Sequence, residues 1–222
     1  MEQRVRVHKV RLGGEEVRVI RSAAPTRLAL RDDRRWLSMY ADRAGAEQLV
    51  ALWALAARSA RSLVYLPMRA NPAPDGIASD GEPVALDLVL VHHSPQFPTA
   101  SWKDVRARLG VGRPHTTATP DDDFPDETAI DYERWHHPTY RDHLGFTIAA
   151  HTLFVTGSPT AFREQGTALR ALTDEAPSHL HRHPNATHFC VELAPGPWSR
   201  PQHRRNVPGN LHIQYAGAWR VR

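Results

Sequence analysis

The 222-residue chain is 41% apolar and 23% charged, with a single cysteine. That composition suits one sizeable soluble core, and it excludes a disulfide framework, a paired-cysteine metal or redox motif and a membrane-spanning helix: the greasiest run, Leu49–Ala57, is about half the ~18 apolar residues a span needs. The net charge of +4 is uneven, with 13 Lys/Arg against 7 Asp/Glu in residues 1–61, 6 against 13 in 71–142 and 8 against 4 in 143–222, which points to segments that neutralise one another and away from a continuous nucleic-acid surface.

The opening reads as a hairpin. Arg4–Leu12 and Glu15–Ser22 are β-rich runs separated by Gly13-Gly14, a pair suited to a turn with positive φ at both central residues, and the register sets Val10 opposite Val17 and Val7 opposite Ile20. Arg27–Arg31 reads as another short strand, and Asp32–Tyr40 favours no single state. Over Arg43–Ser59, Leu49, Val50, Trp53, Ala56 and Ala57 fall on one face of a helix whose C-terminal end carries Arg58 and Arg61. Ser62–Met68 is a strand. Pro67–Pro83 holds four prolines and two glycines, so it is a loop and the one place where two subdomains would join in an otherwise single domain of residues 1–222.

Val84–His93 is apolar on both faces in its middle, as a central strand is. Ser101-Trp102-Lys103-Asp104 has capping-box-like spacing and opens a helix to Leu109, stopped by Gly110. Val111–Asp131 is polar, Pro-rich and acidic, which predicts a long surface loop. Asp131–Leu144 concentrates aromatic residues and histidines. Phe146–Thr156 reads as one continuous strand; Gly157 turns it, Ser158 caps, and Pro159 begins a helix to Leu172. Ser178–Asn185 reads as an irregular, Pro-broken loop, Thr187–Leu193 as a strand and Asn210–Ala216 as the last strand.

These last two strands carry the chemistry. Phe189, Val191 and Leu193 share one face and His188, Cys190 and Glu192 the other; Leu211, Ile213 and Tyr215 repeat the apolar face, and Asn210, His212 and Gln214 the polar one. Strands joined by a loop of this size are commonly antiparallel neighbours, so the polar faces pool. A solvated strand face usually carries Lys, Arg, Thr and Glu, whereas these are half-buried polar types. A sheet with helices on one side would gather His151, His188, Glu192 and His212 around a cavity on the other, with His92 or His93 at its mouth. Neutral imidazole and carboxylate are normal ligands of Zn²⁺ and Fe²⁺; with no metal, a His–Glu pair works as an oriented general base. Residues i and i+2 of a strand stand ~6–7 Å apart, so His188 and Glu192 converge only with help from a neighbouring strand.

Other motifs point less far. His179, His181 and His183 read as an exposed His-rich turn, with Glu192 nine residues beyond. Trp135-His136-His137-Pro138, Tyr140 and His143 form an aromatic patch in a supporting role. Leu109-Gly-Val-Gly follows a helix, where the dinucleotide fingerprint requires a strand. Cys190 as a nucleophile requires exposure and a base, which His188 or His212 would supply. Arg200, His203, Arg204 and Arg205, with Trp198, make the best basic-aromatic patch.

The expected fold is α+β: a mixed or mainly antiparallel sheet with helices packed mostly on one face, after an N-terminal β-hairpin. The first functional expectation is a cytoplasmic enzyme acting on a small molecule, the compartment being read from an N-terminus without the apolar core of a signal peptide. His188, Glu192 and His212 are its acid–base residues or the ligands of a divalent metal, zinc or iron; His151, His92, Gln214 and Cys190 are binding residues. The second is a non-enzymatic binding, regulatory or immunity-type protein whose loops 111–143 and 194–209 meet a protein partner. The third is phosphate or nucleic-acid recognition through Arg200–Arg205.

Overall fold

In the computed structural model, residues 2–22, 27–33, 36–75, 82–120, 122–196, 209–217 and 219 are described. They form, in chain order, β1 (Glu2–Leu12), β2 (Glu15–Ser22), β3 (Leu28–Asp32), β4 (Leu37–Ala41), α1 (Arg43–Arg58), β5 (Ser62–Leu66), β6 (Val84–His92), α2 (Trp102–Ala107), β7 (Arg113–Ala118), β8 (Gly145–Ala149), β9 (Thr152–Gly157), α3 (Pro159–Asp174), α4 (Ala176–Arg182), β10 (Phe189–Leu193) and β11 (Leu211–Tyr215). The fold is α+β with a mixed sheet and an N-terminal hairpin. In that hairpin Val10 faces Val17 and Val7 faces Ile20, around Gly13 and Gly14 at φ +56° and +94°.

Strand β6 joins two runs of strands. Its first residues, Val84–Leu86, pair with β3, and from there the sheet continues through β4 and β11 to β10. Its remainder, Asp87–His92, pairs in parallel with β9, while Leu88–Val91 pair with β5, which leads through β2 and β1 to β7. The pairs β2–β5, β4–β11 and β6–β9 are parallel and the others antiparallel.

One side of this whole sheet is covered by α1, α3 and α4. Asp42 caps α1 by accepting from the Gly45 N–H at 2.8 Å, and 11 of its 16 residues are buried. Trp53 locks α1 to α3: its indole donates to the Phe162 carbonyl at 2.7 Å, and the two rings meet edge to face at 5.1 Å. Leu30, Met39, Leu88, Val155, Val191 and Ile213 bring both runs of strands into this core. Burying each such side chain contributes about 1.5–3 kcal/mol before the entropy of ordering is set against it. On the other side α2 is the one helix among the described residues that packs, with Trp102 and Val105 against Val19, Tyr65, Val89 and Phe154.

Asp87 fixes this second layer. Only 3% exposed, its carboxylate accepts from the backbone N–H of Met68 (3.1 Å) and Arg69 (2.9 Å) and from the Tyr65 hydroxyl (3.1 Å), and pairs with Arg106 of α2 at 3.2 Å. Arg106 also donates to the Ala150 carbonyl at 3.0 Å, and the Trp102 indole donates to Thr152 at 3.0 Å.

Several sequence expectations give way. Phe146–Thr156 is not one strand but the hairpin β8–β9, turned at Ala150 and His151 with φ +49° and +56°; the two residues carry no turn signature. The 111–131 segment contains β7, an edge strand with Pro114 inside it, tolerated because an edge strand needs only one bonded side. Its acidic run is not simply solvated either: Asp123 is buried and pairs with Arg58 at 3.1 Å and Arg163 at 3.7 Å. The irregular loop read at Ser178–Asn185 is largely helix α4, opened by Pro177 in its first turn. Among the described residues no helix is long and apolar enough to cross a membrane.

Two predictions follow from the buried polar groups. Asp87→Ala leaves Arg106, Tyr65 and two backbone N–H groups without their acceptor, and denaturant unfolding should show a loss of about 3–5 kcal/mol; a loss under about 1 kcal/mol would mean that Asp87 does not hold the layer. His8 is 4% exposed with both ring nitrogens unpaired among the described residues, and burial first, then Arg21 and Arg6, hold its pKa below the usual 6.5. Its protonation therefore favours the unfolded chain, so stability falls as pH drops from about 6.5 toward the folded value. Denaturation midpoints measured between about pH 7.5 and 5.5 should fall less steeply in His8→Phe than in the wild type.

Candidate metal centre

The polar face expected for β10 and β11 exists. The strands are antiparallel neighbours, with Cys190 opposite Gln214 and Glu192 opposite His212. Their apolar residues Val191, Leu193, Leu211, Ile213 and Tyr215 are buried in the core beneath α1, α3 and α4, which turns His188, Cys190, Glu192, His212 and Gln214 to the opposite side of the sheet. On β4 and β3 this face continues as Ser38, Tyr40, Ala29 and Arg31, and Trp219 closes over Tyr40 and Ala29. His188, His212 and Gln214 are half-buried, Cys190 and Glu192 exposed.

Three side chains converge. Ligand atoms of His188, Cys190 and His212 all lie within 4.8 Å of one another, and the two imidazoles meet edge to face at 5.6 Å. Behind them, Glu192 accepts from the Asn210 amide at 3.0 Å and lies 3.4 Å from His212 Nδ1. Thr187 Oγ1 is 3.0 Å from His188 Nδ1. With both Nδ1 atoms so engaged, Nε2 of each ring remains to bind a cation. A tetrahedral zinc sets its N and S ligands about 3.5 Å apart, so the group is open by about 1 Å and closes by side-chain rotation at a half-exposed position.

The grouping redistributes the expected roles. Cys190, read from sequence as a binding residue, stands among the ligand atoms. Glu192, read as a ligand, is placed to orient His212. Gln214 flanks Cys190 across the strands. His151 is not gathered: it sits in the exposed β8–β9 turn, and its carbonyl accepts from the Asp87 N–H at 3.0 Å. His92 is not at the mouth of this face. It is 5% exposed, shares its strand side with the core residues Leu88 and Leu90, accepts through Nδ1 from the Ser94 N–H at 3.1 Å and contacts the His93 ring at 4.8 Å. Burial, then His93, lowers its pKa. His179 of α4 and His183, the residue capping that helix, have ring centroids 4.7 Å apart, and His179 packs on Phe189, whose side chain is on the opposite side of β10 from Cys190. The Arg200–Arg205 segment and Trp198 lie outside the described residues.

Sequence reasoning missed one group. Glu164 of α3 accepts from both the Trp135 indole and the Tyr140 hydroxyl at 2.8 Å, tying the aromatic 135–143 segment to the helix. The signal available was a glutamate mid-helix beside a histidine- and aromatic-rich segment, with no spacing to connect them.

The Cys190 thiol is pushed above its usual pKa by partial burial and then by the Glu192 carboxylate. It is therefore protonated at neutral pH, and a cation that binds it must displace a proton. Comparison of the chain with protein-family models, with curated proteins and with solved structures gives no match.

Cys190 should accordingly react slowly with iodoacetamide near neutral pH for an exposed thiol, and Glu192→Gln should speed the reaction by removing the neighbouring charge. Equal rates in the two proteins would mean that Glu192 does not tune the thiol.

Proposed function

We propose that the chain binds one divalent cation of the zinc type through His188, Cys190 and His212, and acts as an enzyme on a small molecule at that ion. The convergence of three ligand atoms within 4.8 Å on an accessible sheet face carries this reading. Mixed imidazole and thiolate donors favour Zn²⁺ over the harder cations, and iron is the less suited of the two metals because no carboxylate completes the set. Three protein ligands leave a fourth position for water or substrate, the pattern of a catalytic site and not of a closed structural one. Glu192 beside His212 Nδ1 repeats the carboxylate–histidine–metal arrangement that fixes the ring and raises its basicity. A zinc ion held by His188, Cys190 and His212 would supply Lewis-acid chemistry to a small-molecule substrate. Gln214 and Asn210 flank the site as amide donors and acceptors for a polar substrate.

The alternative of a non-enzymatic binding protein draws on one observation, that the 135–144 and 194–196 segments meet and line a common cleft.

Titration of the purified chain with Co²⁺ tests the metal reading, because a thiolate ligand gives a charge-transfer band that imidazoles alone do not. One equivalent should produce the band and raise the unfolding temperature. Cys190→Ser should abolish the band, and Glu192→Gln should weaken binding about 10–100-fold. The reading fails if no band forms, or if binding persists in the His188→Ala/His212→Ala double variant and disappears in His179→Ala/His183→Ala, which would move the ion to the α4 pair.

A further inference from the structure

A cleft of about 370 Å³ opens between the 135–144 segment, α3 and the residues that follow β10, a volume within the ~300–1,000 Å³ of small-molecule sites. Its walls are held firmly. Glu164 takes the Trp135 indole N–H and the Tyr140 hydroxyl on the same carboxylate oxygen, each at 2.8 Å. Asp142 accepts from the Ser158 hydroxyl at 2.6 Å, which ties the cleft to the cap of α3. Gly196 donates its N–H to the Leu144 carbonyl at 2.8 Å, and a Cβ on Gly196 would stand 2.1 Å from His143 Cβ and 2.4 Å from its Cγ. Only glycine lets the backbone lie directly on the His143 side chain, whose ring also meets Tyr140 edge to face at 4.8 Å.

The chemistry of the lining is one-sided. Among the described residues no lysine or arginine lines the cleft. Two arginines border it and are already engaged: Arg134 is stacked over the Tyr140 ring at 5.0 Å and lies 3.8 Å from Asp142, and Arg141 donates to the Pro138 carbonyl at 2.7 Å. The polar lining includes a carboxylate (Asp142), the Gln165 amide and the His143 imidazole, alongside the aromatic Trp135 and Tyr140. Burial, helped by Arg141, outweighs the opposing pull of Asp142 and lowers the pKa of His143, whose neutral ring can accept a hydrogen bond. Aromatic walls with acceptors, and no lysine or arginine among the lining residues, suit a flat ligand that donates hydrogen bonds or is itself positive better than a carboxylate or phosphate.

We propose that this cleft is a second binding site, separate from the His188 group, for a planar aromatic molecule bearing nitrogen donors: an aromatic amine, an amidine or an amino-substituted heterocycle. The ring lies against Trp135 and its nitrogens bond Asp142, Gln165 or His143. Benzamidine and benzoate share a ring and a size but carry opposite charges, so together they test the proposal on the full chain by saturation-transfer NMR and tryptophan fluorescence. Benzamidine should bind with a Kd below about 1 mM and benzoate should not. Trp135→Ala and Asp142→Asn should each weaken benzamidine at least about tenfold; the asparagine retains an acceptor for Ser158, so the fold is kept, and the melting temperature verifies it. Gln165→Leu, on the helix face, should weaken it as well with no change in melting temperature. The proposal is overturned if benzamidine fails to bind, if benzoate binds equally well, or if benzamidine binding survives Asp142→Asn and Gln165→Leu unchanged.

Discussion

The buried carboxylate of Asp87 sits where the two runs of the sheet meet, and the rest of the architecture answers to it. A charge at 3% exposure is tolerable only when it is paired and its lone pairs are filled. Here the partners come from β5, from the chain that follows β5 and from α2, so a single group fixes three elements to β6. It also decides where α2 lies. Held by Arg106 over β5, β6 and β9, the helix covers that part of the sheet; among the described residues no helix lies over β10 and β11 on the same side, and Trp219 packs on Ala29 and Tyr40 of β3 and β4. The polar face bearing His188, Cys190 and His212 is that uncovered remainder.

How much of this was legible in the residues depends on the range of the interaction. The β1–β2 register could be read because Gly13-Gly14 is a local signal and the alternation of Val7, Val10, Val17 and Ile20 leaves one pairing. The two-faced character of β10 and β11 was equally local. The Ala150-His151 turn was hidden, since a turn with positive φ normally announces itself by Asn or Gly and here tertiary pairing imposes it on neither. Strand β7 was hidden because R-P-H-T-T-A is exposed almost throughout and has no apolar period to show. The Pro-broken reading of Ser178–Asn185 rested on Pro184, which lies beyond the end of α4, while Pro177 just before the stretch sits in that helix's first turn.

The membership of the site illustrates the same limit. From spacing alone Glu192 and Cys190 were interchangeable members of one strand face. The cross-strand register separates them: Glu192 is set directly opposite His212, where the carboxylate meets the imidazole, and Cys190 is set one pair away, among the ligand atoms. Register is a property of two strands, and no inspection of either one supplies it. His151 was placed in the group by a strand that turned out to be two, and His92 by a strand whose twist and pairing carry that residue to the covered side.

The parallel pairing of β11 with β4 has a further consequence for how the molecule comes together. Residues 211–215 dock beside residues 37–41, so β4 keeps an unfilled edge until nearly the whole chain is available. The β1–β2 hairpin closes over a few residues, whereas this closure spans most of the sequence and brings the larger loss of chain entropy. The strands that carry the histidines and the cysteine therefore close the sheet at a large cost in chain entropy, and an ion bound there would offset part of it.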